Sequence, residues 1–216
     1  MEAHYTSNMK TSEHAKFIIL TGVKHSGKSS LGTILAEKIN YQFIDVDTII
    51  EKISKQSCRE LYTQKGKSGF QAVELEACQE IYTKYYKQSH NLVIATGGGI
   101  CNNPNAFKLL QPYGIVLYLK VPEETACTRI IEASKKRGSY PPYIIQALKE
   151  NNFLEKSYSP TILNSNKILD KDVCTVFHPH FKALTTKYEQ LADITVTLKP
   201  DTKQKNAQRL LDALHI

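Results

Sequence analysis

The chain has 216 residues, 41% of them hydrophobic, and 28 Lys plus Arg against 21 Asp plus Glu, a formal charge of +7. That length suits one sizeable α/β domain with a real core, and the charge suits an anionic substrate. The basic residues are scattered rather than striped with aromatics, so nucleic acid is not the expected partner, and no apolar run approaches the roughly 18 residues of a membrane helix.

Residues 1–15 are polar and carry no apolar signal core, which reads as a tail ahead of a single domain over 16–216. Five cysteines stand at 58, 78, 101, 127 and 174. The number is odd and no pair has C-x-x-C spacing, so reduced thiols in a cytoplasmic protein are expected. A monomer is the expected state.

Phe17-Ile18-Ile19-Leu20 is a short apolar run that fits a buried parallel strand. Gly22-Val23-Lys24-His25-Ser26-Gly27-Lys28-Ser29 follows, reading G-x-x-x-x-G-K-S. Apolar residues at 31, 34, 35 and 39 then recur at helical spacing. A glycine-containing loop between a strand and a helix turns backbone N–H groups toward phosphate oxygens, and the positive helix end adds to that field. Gly22, Lys24, His25, Ser26, Gly27, Lys28, Ser29 and Ser30 are therefore the expected nucleotide-binding set. Lys28 would reach the β- and γ-phosphates of ATP, and Ser29 would ligate Mg²⁺.

Further strands are expected at Tyr41–Asp45, Leu92–Thr96, Ile115–Leu119 and Ile194–Leu198, with helical stretches between them. This alternation predicts a parallel sheet, five-stranded with helices on both faces, of the nucleotide-kinase type. Residues 203–216 read as a closing amphipathic helix. Residues 48–90 are helical with a break around Lys65–Gly69, too long for a simple crossover, and suggest a substrate-binding subdomain. Residues 134–178 are polar and irregular, which suggests a lid or insertion.

Asp45-Val46-Asp47 ends the second strand. Two carboxylates at a strand's C-terminal edge face the crevice where open α/β sheets bind ligands. One can assist Mg²⁺ and the other can take a proton from an attacking hydroxyl, or the pair can cap the following helix. Gly97-Gly98-Gly99 permits close approach of a ligand to the main chain, or is a flexible turn. Arg137 is either a mobile arginine closing on the γ-phosphate or part of a solvated basic cluster. Arg129 either stacks on adenine or lies on a helix surface. Cys174, His178 and His180 are soft ligands without a fourth at sensible spacing, so no structural zinc is expected.

Taken in order, these motifs resemble the shikimate kinase family over about Phe17 to Leu198. Phe70-Gln71-Ala72-Val73-Glu74 is similar to the family's Phe-Arg-x-x-Glu. Tyr188-Glu189-Gln190-Leu191-Ala192-Asp193 is similar to its Tyr-x-x-x-Ala-Asp. The resemblance implies ATP-dependent phosphorylation of a small polyhydroxylated acid. It gives Asp45 to the metal, makes Asp47 the substrate-binding base, places Gly97, Gly98 and Gly99 in the substrate pocket, and makes Arg137 the lid arginine. Two departures go with it. The family's carboxylate-binding arginines are matched here by Gln71 and Leu184, and the lid's Arg-Pro-Leu-Leu by Arg137-Gly138-Ser139-Tyr140. Hydrogen bonds to charged groups are worth about 1.5–3 kcal/mol each, so a carboxylate ligand would be weakened unless Lys187, one turn from Leu184, substitutes. The acceptor is accordingly shikimate with a rebuilt clamp, or a related polyol. A gluconate-type kinase, or a nucleotide-binding regulatory protein without catalysis, is the alternative.

Overall fold

The computed structural model describes residues 16–87, 90–155 and 168–216. The expected tail over 1–15 lies outside them. Strands β1 (Phe17–Thr21), β2 (Gln42–Asp45), β3 (Leu92–Ala95), β4 (Gly114–Lys120) and β5 (Ile194–Thr197) form one sheet in the order β2-β3-β1-β4-β5. Every pairing is parallel; Ile19 sits opposite Ile94 on one side and Val116 on the other. The strand expectations and the fold class hold, with no end shifted by more than one residue. β1, at the centre, is buried throughout, which is why it is apolar without alternation. Burying each such Ile or Leu is worth about 1.5–3 kcal/mol.

The α-helices of the described residues are α1 (Lys28–Ile39), α2 (Val46–Ser54), α3 (Cys58–Ile81), α4 (Pro104–Leu110), α5 (Glu123–Arg137), α6 (Pro142–Glu150), α7 (Asp170–Leu191) and α8 (Lys203–Leu214). α3 starts in a capping box: Ser57 Oγ accepts from the Glu60 amide, and the Ser57 amide donates to Glu60. The expected break falls at Gly66, whose backbone (φ 65°, ψ −169°) interrupts α3.

Two expectations need correction. Residues 134–178 are not irregular where they are described: α5 runs on to Arg137, α6 starts at the second of two consecutive prolines, and α7 begins at Asp170. α6 buries Ile144, Ile145 and Leu148, an apolar stripe hidden among polar neighbours in the sequence. Residues 156–167 of that stretch lie outside the described ones. The cysteines are also not all thiols. Cys127 on α5 and Cys174 on α7 form a disulfide, their Cα atoms 5.8 Å apart, while Cys58, Cys78 and Cys101 are free. A separation of 47 residues is closed by packing of the two helices, which spacing rules do not register. The cysteine-based ground for a reducing compartment is thereby removed. No described helix is long and apolar enough to cross a membrane.

Candidate active site

The turn from β1 into α1 sets the floor of the site. Gly22 has φ 142° and Gly27 has φ 102°, values that side chains disfavour, and a Cβ on Gly22 would lie 2.8 Å from the Leu119 carbonyl. Lys28 folds back over this turn, its ammonium donating to the carbonyls of Gly22 (2.8 Å) and Val23 (2.9 Å). Burial is the main reason its pKa falls to about 8; Asp47 and Asp45 oppose the fall and Lys24 adds to it. Burial and the surrounding cations lower His25 to about 4, so it is neutral at pH 7.

The end of β2 brings both carboxylates to this floor. Asp45 caps α2, accepting from the Asp47 amide at 3.0 Å, and its other oxygen accepts from Ser29 Oγ at 2.5 Å. The capping reading and the site reading are thus both met by one residue. A hydroxyl and a carboxylate oxygen held together beside the phosphate loop are hard donors that fit Mg²⁺. Asp47 is held above the ordinary carboxylate range, chiefly by burial and then by Asp45, against the pull of Lys28 and Lys24.

Gly98 packs on the phosphate loop: a Cβ there would stand 2.8 Å from the Lys24 amide nitrogen. Glycine is needed for close approach, not for positive φ. Gly97 faces Asp47 and Glu74, a Cβ there meeting their carboxylates at 3.2 and 3.0 Å.

Glu74 is 2% exposed and accepts from Asn103 Nδ2 at 2.9 Å. Burial pushes its carboxyl up to about 7, with Asn103 opposing and Asp47 adding. In the unfolded chain the same group titrates near 4.3. The folded state therefore holds a proton that the unfolded state has released between those values. Stability from this group is fully present below the unfolded value and is lost as pH rises from there through about 7, by about 4 kcal/mol. Glu74→Gln should flatten that loss. Urea midpoints of the two proteins should agree near pH 4.5, with the variant higher at pH 8; parallel curves would refute the assignment.

Lys24, His25, Lys28, Ser29, Asp45, Asp47 and Glu74 line one cavity of about 1000 Å³, which also takes in Ser26, Gly27, Ser30, Arg129, Gln71 and the Gly97–Gly99 turn; Gly22 shapes the loop beneath it without lining it. Its volume is at the upper end for ligand pockets and suits two substrates side by side. Arg129 is tied to the loop, donating to the His25 carbonyl at 3.0 Å. Arg137, at the exposed end of α5, is not a lining residue but acts electrostatically on Lys24, His25 and Arg59. Gln71 donates to the Asn102 carbonyl at 2.6 Å, and Leu184 is a buried lining residue. Lys187 does not line the cavity; its ammonium donates to Asn102 Oδ1 at 2.6 Å. The soft-ligand group is dispersed: Cys174 is in the disulfide and His178 Nδ1 sits 2.9 Å from the Glu123 carboxylate.

Arg59, Tyr62, Tyr143 and His180 line the cavity without having been expected there. The Ser57/Glu60 capping box was the available signal for Arg59, because it fixes the helical turn on which that residue stands. Tyr143 and His180 meet only through packing of α6 on α7, with ring centroids 4.4 Å apart.

A family model for shikimate kinase matches residues 24–177. A shikimate kinase of Prochlorococcus marinus (strain MIT 9211) is 36% identical over 151 residues, 69% of this chain and 71% of the relative. A second, from Prochlorococcus marinus (strain NATL2A), is 33% identical over 183 residues, covering 82% and 88%. The fold matches a shikimate kinase from Acinetobacter baumannii solved in complex with shikimate, at TM-score 0.66 and 23% identity over 91% of this chain and 90% of that one. A shikimate kinase from Bacteroides thetaiotaomicron matches at TM-score 0.68 and 22% identity, covering 93% and 98%. With a phosphate loop, a metal-suited hydroxyl–carboxylate pair and a buried carboxylate converging on one cavity, this chain belongs to the shikimate kinase family, phosphotransferases that act on an alcohol group with ATP and Mg²⁺.

Proposed function

We propose that the acceptor is shikimate and that the phosphoryl group goes to one of its hydroxyls. The observation that carries this reading is the convergence of Lys28 and Asp47 on one cavity, with Asp47 held above the usual carboxylate range. Such a carboxylate is a better proton acceptor near neutral pH than an ordinary Asp. A module that only binds nucleotide has no use for one.

The roles follow from position. Asp47 holds the acceptor hydroxyl and takes its proton. Lys28 and the loop N–H groups stabilise charge that develops on the transferring phosphoryl oxygens. Ser29 and Asp45 would hold Mg²⁺, which when bound neutralises phosphate charge. Gly97, Gly98 and Gly99 form the acceptor wall. Arg137 closes from α5, and Arg129 borders the nucleotide beside His25. Residues 16–216 act as one domain, with 48–90 on the acceptor side and 134–178 as the lid. The working form is a monomer without nucleic acid.

Substrate-dependent ADP release with ATP, Mg²⁺ and a panel of shikimate, gluconate and neutral polyols tests the acceptor. Shikimate should give the highest kcat/KM. Preferential turnover of another acceptor would replace it.

A further inference from the structure

Resting on the reading of an acidic acceptor, we propose that Lys24 and Arg59 form the clamp for the acceptor's acid group, taking over on the phosphate-loop and α3 side of the cleft a task that Gln71 and Leu184 cannot perform.

The positions usually given to arginine are closed to this role. Leu184 has no donor. The Gln71 amide is committed to the Asn102 carbonyl, and the Lys187 ammonium, which does not itself line the cavity, is taken up by Asn102 Oδ1. Any acid group entering the cleft must find its counter-charge elsewhere. Two lining cations stand where it can be found.

Arg59 is fixed at the start of α3 by the capping box. Its guanidinium donates to the Ser139 carbonyl (3.4 Å) and hydroxyl, at the junction of α5 and α6. A guanidinium carries five N–H donors, so Ser139 takes up only part of its capacity and holds its orientation. The next residue back, Cys58, is bonded through sulfur to the Asp47 carbonyl at 3.6 Å, which ties the base of Arg59 to the residue that would hold the acceptor hydroxyl. Tyr62 and Phe70, rings 6.0 Å apart, pack one turn along and both line the cavity, an apolar wall suited to a carbon ring.

Lys24 occupies the second position after Gly22 in the phosphate loop and lies against Gly98. Its ammonium makes no hydrogen bond or ion pair among the described residues. It touches the water of the open cleft, yet the walls exclude enough solvent to lower its pKa, with Arg137 and Arg59 adding to the fall and Asp47 and Cys58 opposing it. Asp47 is the carboxylate that opposes this fall most, while Arg137 and Arg59 repel Lys24. An incoming anion relieves that repulsion. Arg59 stands next to Cys58, whose sulfur bonds the Asp47 carbonyl, and lines the cavity with Tyr62 and Phe70, which puts it on the acceptor side, while Lys24 lines the cavity from the phosphate loop against Gly98.

The test compares each acid with its neutral carboxamide, shikimate and gluconate pairs alike, in the full-length enzyme and in Arg59→Ala, Arg59→Lys and Lys24→Met. The unsubstituted enzyme should prefer the acid. Arg59→Ala should raise KM for the acid about ten- to hundredfold, leave KM for the carboxamide and for ATP unchanged, and so erase the preference. Arg59→Lys should restore part of it. Lys24→Met should lower the acid-to-carboxamide preference in the same way, whatever it does to KM for ATP. Equal effects on acid and carboxamide, or a rise in KM for ATP alone, overturns the clamp. Transfer to the gluconate pair alone overturns shikimate as acceptor, while the acid-to-carboxamide ratio still decides the clamp. An enzyme inert to both pairs overturns both readings.

Discussion

Asp47→Ala is expected to lower kcat by about 10²–10⁴-fold while nucleotide affinity stays nearly unchanged. Asp47 follows the end of β2, and its amide is already used in the Asp45 cap, so its backbone is fixed before any ligand arrives. Gly97 leaves the space beside its carboxylate open, which keeps that face available to an acceptor hydroxyl. Burial and Asp45 raise its pKa, and this sets the sign of the pH effect: kcat/KM should fall on the acid side as Asp47 takes up a proton and can no longer accept one. Asp47→Asn is the sharper variant, because it keeps the shape and a hydrogen-bonding oxygen but cannot act as base. It should lose turnover as Asp47→Ala does and hold the acceptor better. Steady-state kinetics give kcat, and fluorescent-nucleotide titration gives ATP affinity. Undiminished transfer in either variant would rule out the base.

The sheet, the phosphate loop and the two aspartates were legible in the sequence because each is local. β1 is an unbroken apolar run, the loop has fixed spacing, and Asp45-Val46-Asp47 sits at a strand end. What depends on contacts between distant segments was not. The Cys127–Cys174 bridge needs α5 to lie along α7. α6 hides three buried residues in a stretch whose prolines, asparagines and serines read as irregular. Lys187 is one turn from Leu184, yet it turns to Asn102 on a segment 85 residues away. Arg59 is the instructive case: its type and number were plain, but that α3 aims it into the cleft follows only from how α2, α3 and the α5–α6 junction meet.

Lys28→Met should cost about 10²–10³-fold in kcat, the loss typical of one electrostatic contact to developing transition-state charge, and should weaken ATP as well. This ammonium donates to the Gly22 and Val23 carbonyls, neutral acceptors that occupy its donors without cancelling its charge. A buried cation in that position has lost hydration and gains most from an anion, so its favourable interaction is reserved for phosphate oxygens. The same burial brings its pKa to about 8. Only the protonated form offers charge, so ATP binding by the free enzyme should decline as pH rises through about 8. Phosphate itself would raise the pKa of bound Lys28, so kcat should hold to higher pH than kcat/KM for ATP. Methionine keeps the length and the apolar stem but removes the titrating group, and the alkaline decline should vanish with it. Arginine stays charged across this range and should carry binding past pH 9, whatever it does to transfer. ATP titrations from pH 6.5 to 9.5 on the three proteins measure this directly. An alkaline decline that persists in Lys28→Met would assign it to another group and remove Lys28 as its source.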